Sequence, residues 1–173
     1  KLNIIIGSVP YPGADSEKVK LAIMKYLNDT YGIIEEDFIS AEIVEQGAVR
    51  VVYKVDKKIR NSVISAYYNV YADLDRIDVD YKTDWKETHV VLKGDYPVDV
   101  NAVKATFDIQ FGNLERSTTE NTTWDFAQFE VSMHKWVDLS DNSFGVSVIN
   151  DCKYGCTVKN GHIMPTLLRC QTR

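Results

Sequence analysis

The side chains that could do chemistry are few and scattered. Three histidines, His89, His134 and His162, stand alone, with no His-x-Asp pattern and no paired carboxylates nearby. Cys152 and Cys156 lie close together with Gly155 between them, and Cys170 is separate. No second Cys or His pair completes the donor set of a zinc site, so the expectation is reduced, mostly buried thiols. The odd count argues against a closed disulfide framework. The densest polar group is Asn150, Asp151, Lys153 and Tyr154, directly after the apolar run 146–149. Polar groups at a strand end can present a ligand surface. They equally suit a turn in which Asp151 caps backbone amides and Gly155 takes a positive φ.

The aromatic residues offer a second set. Trp136, beside His134 and Lys135, could be a stacking platform for a pyranose, but Val137 and Leu139 next to it favour a packed tryptophan. His134 reads as a structural histidine. Trp124 lies in a polar stretch and is the more exposed candidate. Asp78, Asp80 and Asp84 alternate along one run; calcium binding is conceivable, but a solvated strand face is the favoured reading.

The elements that must position these groups follow from periodicity. Residues 2–6 form an apolar run suited to a buried strand. Prolines and a glycine over 8–13 mark a loop, and Asp15 or Ser16 can cap a helix after it. There Val19, Ala22, Ile23, Tyr26, Leu27 and Tyr31 form one apolar stripe, and Gly32 is suited to end it. Such a helix must bury its stripe to be stable, so Leu27→Asp is expected to loosen its docking while leaving the rest folded.

After Ser40 the period changes to two. Val49, Val51, Tyr53 and Val55 share a face, as do Ile64, Ala66, Tyr68 and Val70. Ile77, Val79, Tyr81, Thr83 and Trp85 alternate with charged residues, which indicates an antiparallel strand with one wet side. Ala105, Phe107, Ile109 and Phe111 repeat the pattern, and Val146, Val148 and Leu167 mark later strands. Residues 113–125 break the rhythm and read as a long loop. The fold class expected is mainly β, α+β overall: an antiparallel β-sandwich with an N-terminal strand–helix unit.

Composition excludes several classes. Apolar residues make up 45% and charged residues 26% of the 173, ordinary values for a globular chain. The net charge is −5 without a clustered basic face, so no nucleic-acid partner is expected. No apolar run approaches the roughly 20 residues that span a bilayer, so no membrane partner is expected either. The apolar part of the N-terminus is too short for a secretory signal. The sequons at Asn28 and Asn121 then carry little weight, and a cytoplasmic setting is expected.

The segment 128–140, QFEVSMHKWVDLS, followed by FGVSVINDCKYG over 144–155, strongly resembles the α-mannosidases of glycoside hydrolase family thirty-eight. RIDVDYKTDWKE from Arg76, YPVDV over 96–100 and FDIQFGNLERSTTENTTWD over 107–125 are similar to the same family. The resemblance covers roughly 42–168 and corresponds to the β-rich C-terminal half. Residues 1–41 instead resemble a segment of bacterial aspartyl aminopeptidases, which are zinc metallopeptidases. Two domains are therefore expected, 1–41 and 42–173, with a junction between Ile34 and Ile43. The chain would then be a chimera, natural or engineered.

The mannosidase resemblance implies a retaining, zinc-dependent hydrolysis. That chemistry needs a carboxylate nucleophile and a carboxylic acid, with the metal holding sugar hydroxyls. In the family these groups come from an N-terminal catalytic domain whose motifs have no counterpart here. The aminopeptidase-like segment stops before any metal ligand. No catalytic residue and no cofactor is therefore expected in this chain, zinc belonging to the parent family. The functional expectation is a supporting β-domain that buttresses the missing catalytic domain, its Asn150–Tyr154 loop lining the sugar site. A weak mannoside-binding module using Trp124, Trp136 and that loop is the alternative, and a third is an inactive chimeric fragment. An exposed apolar patch and self-association would accompany the severed-domain reading.

Overall fold

The computed structural model describes Leu2–Ile6 and residues 38–170. The expected helix, its Leu27 contact and the sequon at Asn28 lie outside the described residues. Two compact units divide at 87/88, the strand Leu2–Ile6 belonging with the second. Of the expected junction between Ile34 and Ile43, residues 34–37 lie outside the described residues.

The first unit is an antiparallel meander of β2 (Phe38–Gln46), β3 (Arg50–Ile59), β4 (Ser62–Tyr71) and β5 (Arg76–Asp84). The period-two pattern dictates its faces. Val51, Tyr53 and Val55 oppose Val70, Tyr68 and Ala66, and Tyr68 opposes Val79 in turn. Val51, Tyr53, Val55, Ile64, Ala66 and Val79 are buried. Val49 precedes the strand and is exposed.

The alternate face holds buried Val52 among mostly polar residues and is not uniformly wet. Asp56 receives hydrogen bonds from Ser40 and Ser65 and pairs with Lys54 at 2.7 Å. Partial burial raises its pKa, but Lys54 and the two hydroxyls outweigh it and hold the carboxyl below its ordinary value. The expected solvated face fails at Asp78, which is 4% exposed. Arg76 Nε lies 2.9 Å from one carboxylate oxygen and Tyr71 donates at 2.8 Å to the other. A carboxylate leaves water only with such partners. Asp80 accepts from Asn69, and Asp84 pairs with Lys86 in solvent. Each aspartate has a local protein partner, so the three do not act as one calcium cradle.

The second unit is a two-sheet antiparallel β-structure. One sheet runs β1 (Leu2–Ile6), β12 (Gly145–Asn150), β11 (Trp136–Ser140), β8 (Lys104–Ile109) and β9 (Gly112–Ser117). The other runs β10 (Val131–Ser132), β13 (Gly155–Lys159), β14 (His162–Arg169) and β6 (Val91–Lys93), with β7 (Tyr96–Pro97) also on β14. Alternation again selects the core. Ala105, Phe107, Val137, Leu139, Val146 and Val148 are buried from the first sheet, and Tyr96, Cys156, Val158 and Ile163 from the second. The chain is mainly β, as its alternating pattern predicts.

Two expectations are corrected in this unit. The stretch 113–125 is not one long loop. It holds most of β9 and the start of a short helix, α1 (Thr123–Ala127). As an edge strand β9 has no apolar face to bury, so its sequence carries no alternation. The apolar run in β8 ends at Ile109, and Phe111 lies in the turn rather than on the core face. Among the described residues no helix is long and apolar enough to cross a membrane.

Leu139 is completely buried. Leu139→Ala is expected to lower stability by about 2–5 kcal/mol, read as a lower urea midpoint with an unchanged slope.

Candidate functional site

The polar cluster singled out by the sequence forms one end of the second unit. Trp136 opposes Ile149, so β12 and the segment entering β11 arrive together. Asn150 closes this end. Its backbone N–H donates to Lys135 O at 2.8 Å. Its buried side-chain amide donates to His134 O at 3.1 Å and accepts from Lys153 N–H at 2.6 Å. Lys135 Nζ donates to Asp151 O at 3.0 Å, and Met133 N–H donates to Tyr154 O at 2.9 Å. The loop 151–154 is thus tied at several points before β13 begins.

The turn reading holds with two corrections. The cap is Asn150, not Asp151, because only the residue that ends the strand points inward at the next turn's amide. Asp151 is exposed, and its carboxyl is held below the ordinary value, first by the Cys152 thiol. Gly155 does not take a positive φ; it lies close under the Glu130 carboxylate, where a Cβ would come within 2.6 Å of Oε1 and push that side chain aside.

Glu130, Lys153, Tyr154, Gly155, Thr166 and Arg169 line an open groove of about 340 Å³. Thr166 Oγ1 donates to Glu130 Oε2 at 2.5 Å, and Lys93 Nζ lies 3.5 Å from the same oxygen. The groove therefore combines a carboxylate, two cations and a half-exposed phenol, whose ring meets His134 edge-on with centroids 6.4 Å apart. Such groups can exchange hydrogen bonds with hydroxyls and lie against an apolar ring face. They lack the second carboxyl that retaining glycoside hydrolysis needs, a partner roughly 5–5.5 Å from the first.

Neither tryptophan lines the groove. Trp136 is half-buried on the face of β11 opposite Val137 and Leu139. Trp124 belongs to α1 and is 76% exposed, with Phe126 and Phe129 exposed near it in the chain. The two phenylalanine rings meet edge-on at 5.4 Å. Thr122 caps this helix by accepting from Asp125 N–H. Lys159, its side chain only 11% exposed, reaches across from β13 to donate to Asp125 O at 2.7 Å and Thr119 O at 3.4 Å. Glu130, Thr166 and Arg169 carry no signal in the sequence, because antiparallel pairing brings them beside Gly155 from distant segments.

A second polar groove, of about 360 Å³, lies against Lys104, Glu115, Asp138, Ser140 and Asp141. Its acids are committed locally. Asp138 accepts from Ser140 and Ser147, and Glu115 pairs with Lys104. Asp141 is pulled down to about 2 by the Ser143 N–H and hydroxyl and the Phe144 N–H.

Zinc does not fit the described residues. No three His, Cys, Asp or Glu side chains among them gather in one place. Burial pushes the Cys156 thiol up to about 12, far from the thiolate a metal needs. The expectation of mostly buried thiols holds for Cys156 alone, since Cys152 is exposed and Cys170 partly so.

Replacing Lys159 by methionine leaves the stem but removes the charged donor shared by the carbonyls of Thr119 and Asp125. Hydrogen exchange over 119–127 is expected to accelerate at least tenfold in that variant, while β11 and β12 stay protected. Unchanged exchange there would show that other contacts hold the segment.

Comparison with known proteins places this architecture. The family model described as glycosyl hydrolases family 38 C-terminal domain matches residues 22–173. Alpha-mannosidase G of Dictyostelium discoideum is 38% identical over 135 residues, covering 75% of this chain and 12% of that protein. Human alpha-mannosidase 2C1 is 48% identical over 85 residues, 49% of this chain and 8% of that protein. A probable M18 family aminopeptidase 1 of Clostridium acetobutylicum is 56% identical over 52 residues, 28% of this chain and 11% of that protein. The chain thus spans a small part of each relative. The family match, extending over most of the chain and over the whole second unit beyond its first strand, makes this a member of the glycosyl hydrolases family 38 C-terminal domain family.

Proposed function

We propose that this chain is the non-catalytic β-portion of an α-mannosidase, supporting a separate catalytic domain and lending its Asn150–Tyr154 end as part of the wall of a mannoside site. The observation that carries this reading is the groove at that end. It offers one carboxylate, Glu130, with Lys153, Tyr154 and Arg169 around it. These groups suit holding sugar hydroxyls and do not suit breaking a glycosidic bond, which takes two carboxyls acting together. The catalytic pair and any zinc would then come from the catalytic domain, with which a mannoside would be shared. The exposed Trp124, Phe126 and Phe129 are the apolar surface such a severed support leaves uncovered, through which copies could also self-associate. On this reading the start of the chain, where a likeness to aminopeptidases overlaps the family match from residue 22 onward, is a segment of different origin, and the setting is cytoplasmic.

A second reading rests on Trp124. At 76% exposure its indole face is free to stack on a sugar ring, as in a weak carbohydrate-binding module.

Calorimetric titration of the chain with mannose and with an α-mannobiose, with and without zinc, separates these readings. The supporting role predicts no zinc-dependent binding. Zinc-dependent binding would contradict it. Zinc-independent binding that is lost in Trp124→Ala would establish the binding module instead.

A further inference from the structure

The β8–β9 hairpin turns at Gln110 and Phe111, and Phe111 adopts φ 59°. A left-handed backbone crowds Cβ against the following carbonyl, and a bulky residue there is a genuine outlier. Glycine or asparagine would hold such a turn at less cost, as Asn160 does at φ 50° between β13 and β14. The Phe111 ring recovers nothing in return, for it is fully exposed. Backbone strain and an unburied apolar ring thus coincide at one side chain that serves no contact in the described fold.

The position of the hairpin is informative. Asp108 O accepts from His134 N–H at 3.0 Å and Asp108 Oδ2 from Lys135 N–H at 2.9 Å. Lys135 in turn holds the 151–154 loop through Asp151 O. The tip therefore lies at the sheet end that carries the candidate site. The ladder from Lys104↔Ser117 to Ile109↔Gly112 is in unbroken register, so the tip is carried on a firm ribbon.

We propose that Phe111 is an anchor that inserts into an apolar pocket of the remaining part of a family 38 α-mannosidase. This rests on the supporting role proposed above. The segment amounts to 12% and 8% of the two α-mannosidases compared, so most of such a protein lies outside it and is available to cover this end. A phenylalanine has only two χ angles to fix, and aromatic anchors dominate the energetics of buried interfaces.

The test is one substitution in two settings. In the isolated chain Phe111→Gly relieves the backbone and gives up no burial, so its melting temperature should stay the same or rise. In a full-length hybrid, with this segment replacing the matching 135 residues of Dictyostelium alpha-mannosidase G, the same change should lower the melting temperature by several degrees. Hydroxyl-radical footprinting gives a reading without the variant: the Phe111 ring should be oxidised at least fivefold more slowly in the hybrid than in the isolated chain. A lower melting temperature in the isolated chain would assign the ring to the fold and overturn the anchor. Equal oxidation in both settings would overturn it too, as would a loss of self-association as the variant's only effect. If the segment in the unsubstituted hybrid melts no higher than alone, the supporting role fails and the anchor with it. If it melts higher but Phe111 stays unprotected, the anchor alone fails.

Discussion

One buried side-chain amide holds the candidate site together. Asn150 ends β12 in a place where the carbonyl of His134 and the N–H of Lys153 both point inward, and its amide satisfies each. A buried polar group left without its partner costs about 1–3 kcal/mol, so an apolar residue here would strand two backbone groups at once. Because the amide is shared between the entry to β11 and the turn before β13, it couples the two sheets of the unit at this end. Lys153 and Tyr154 inherit their positions from that clamp, and Glu130 and Arg169 meet them across the paired strands β10, β13 and β14.

The same logic distinguishes support from chemistry. At this end the side chains of Asn150 and Lys135 are committed to backbone groups of the adjoining segments, which ties the loop in place. Glu130 shares its charge with Lys93 and Thr166, and Cys156 is held as a neutral buried thiol. Nothing here resembles two acids set apart in environment so that one donates a proton while the other stays ionised. The proposed wall role asks only for groups that orient hydroxyls.

Much of this was legible in the sequence, for a physical reason. Alternation is dictated by burying one face of a strand, so β3, β4, β8 and β12 could be read directly from their apolar residues. β9 could not, since an edge strand with an exposed sequence carries no such signal. Asp78 was misread because a charged residue at an alternate position looks solvated until Tyr71 and Arg76 are seen around it. Phe111 was misread by the same rule extended one step too far: its apolar side chain continues the pattern of Ala105, Phe107 and Ile109, but the backbone has already turned. At the candidate site the contiguous residues Asn150, Asp151, Lys153 and Tyr154 were visible. Glu130 and Arg169 were not, because strand pairing rather than sequence proximity brings them there.

The central claim is that this chain supports a mannoside site without performing the reaction. Hydrolysis of 4-nitrophenyl α-mannoside by the purified chain, with zinc supplied, tests it most directly. The account predicts no release of nitrophenol above the buffer rate. Turnover that disappears in Glu130→Gln would contradict it, for the groove would then hold a reacting carboxylate and the chain would be an enzyme in its own right.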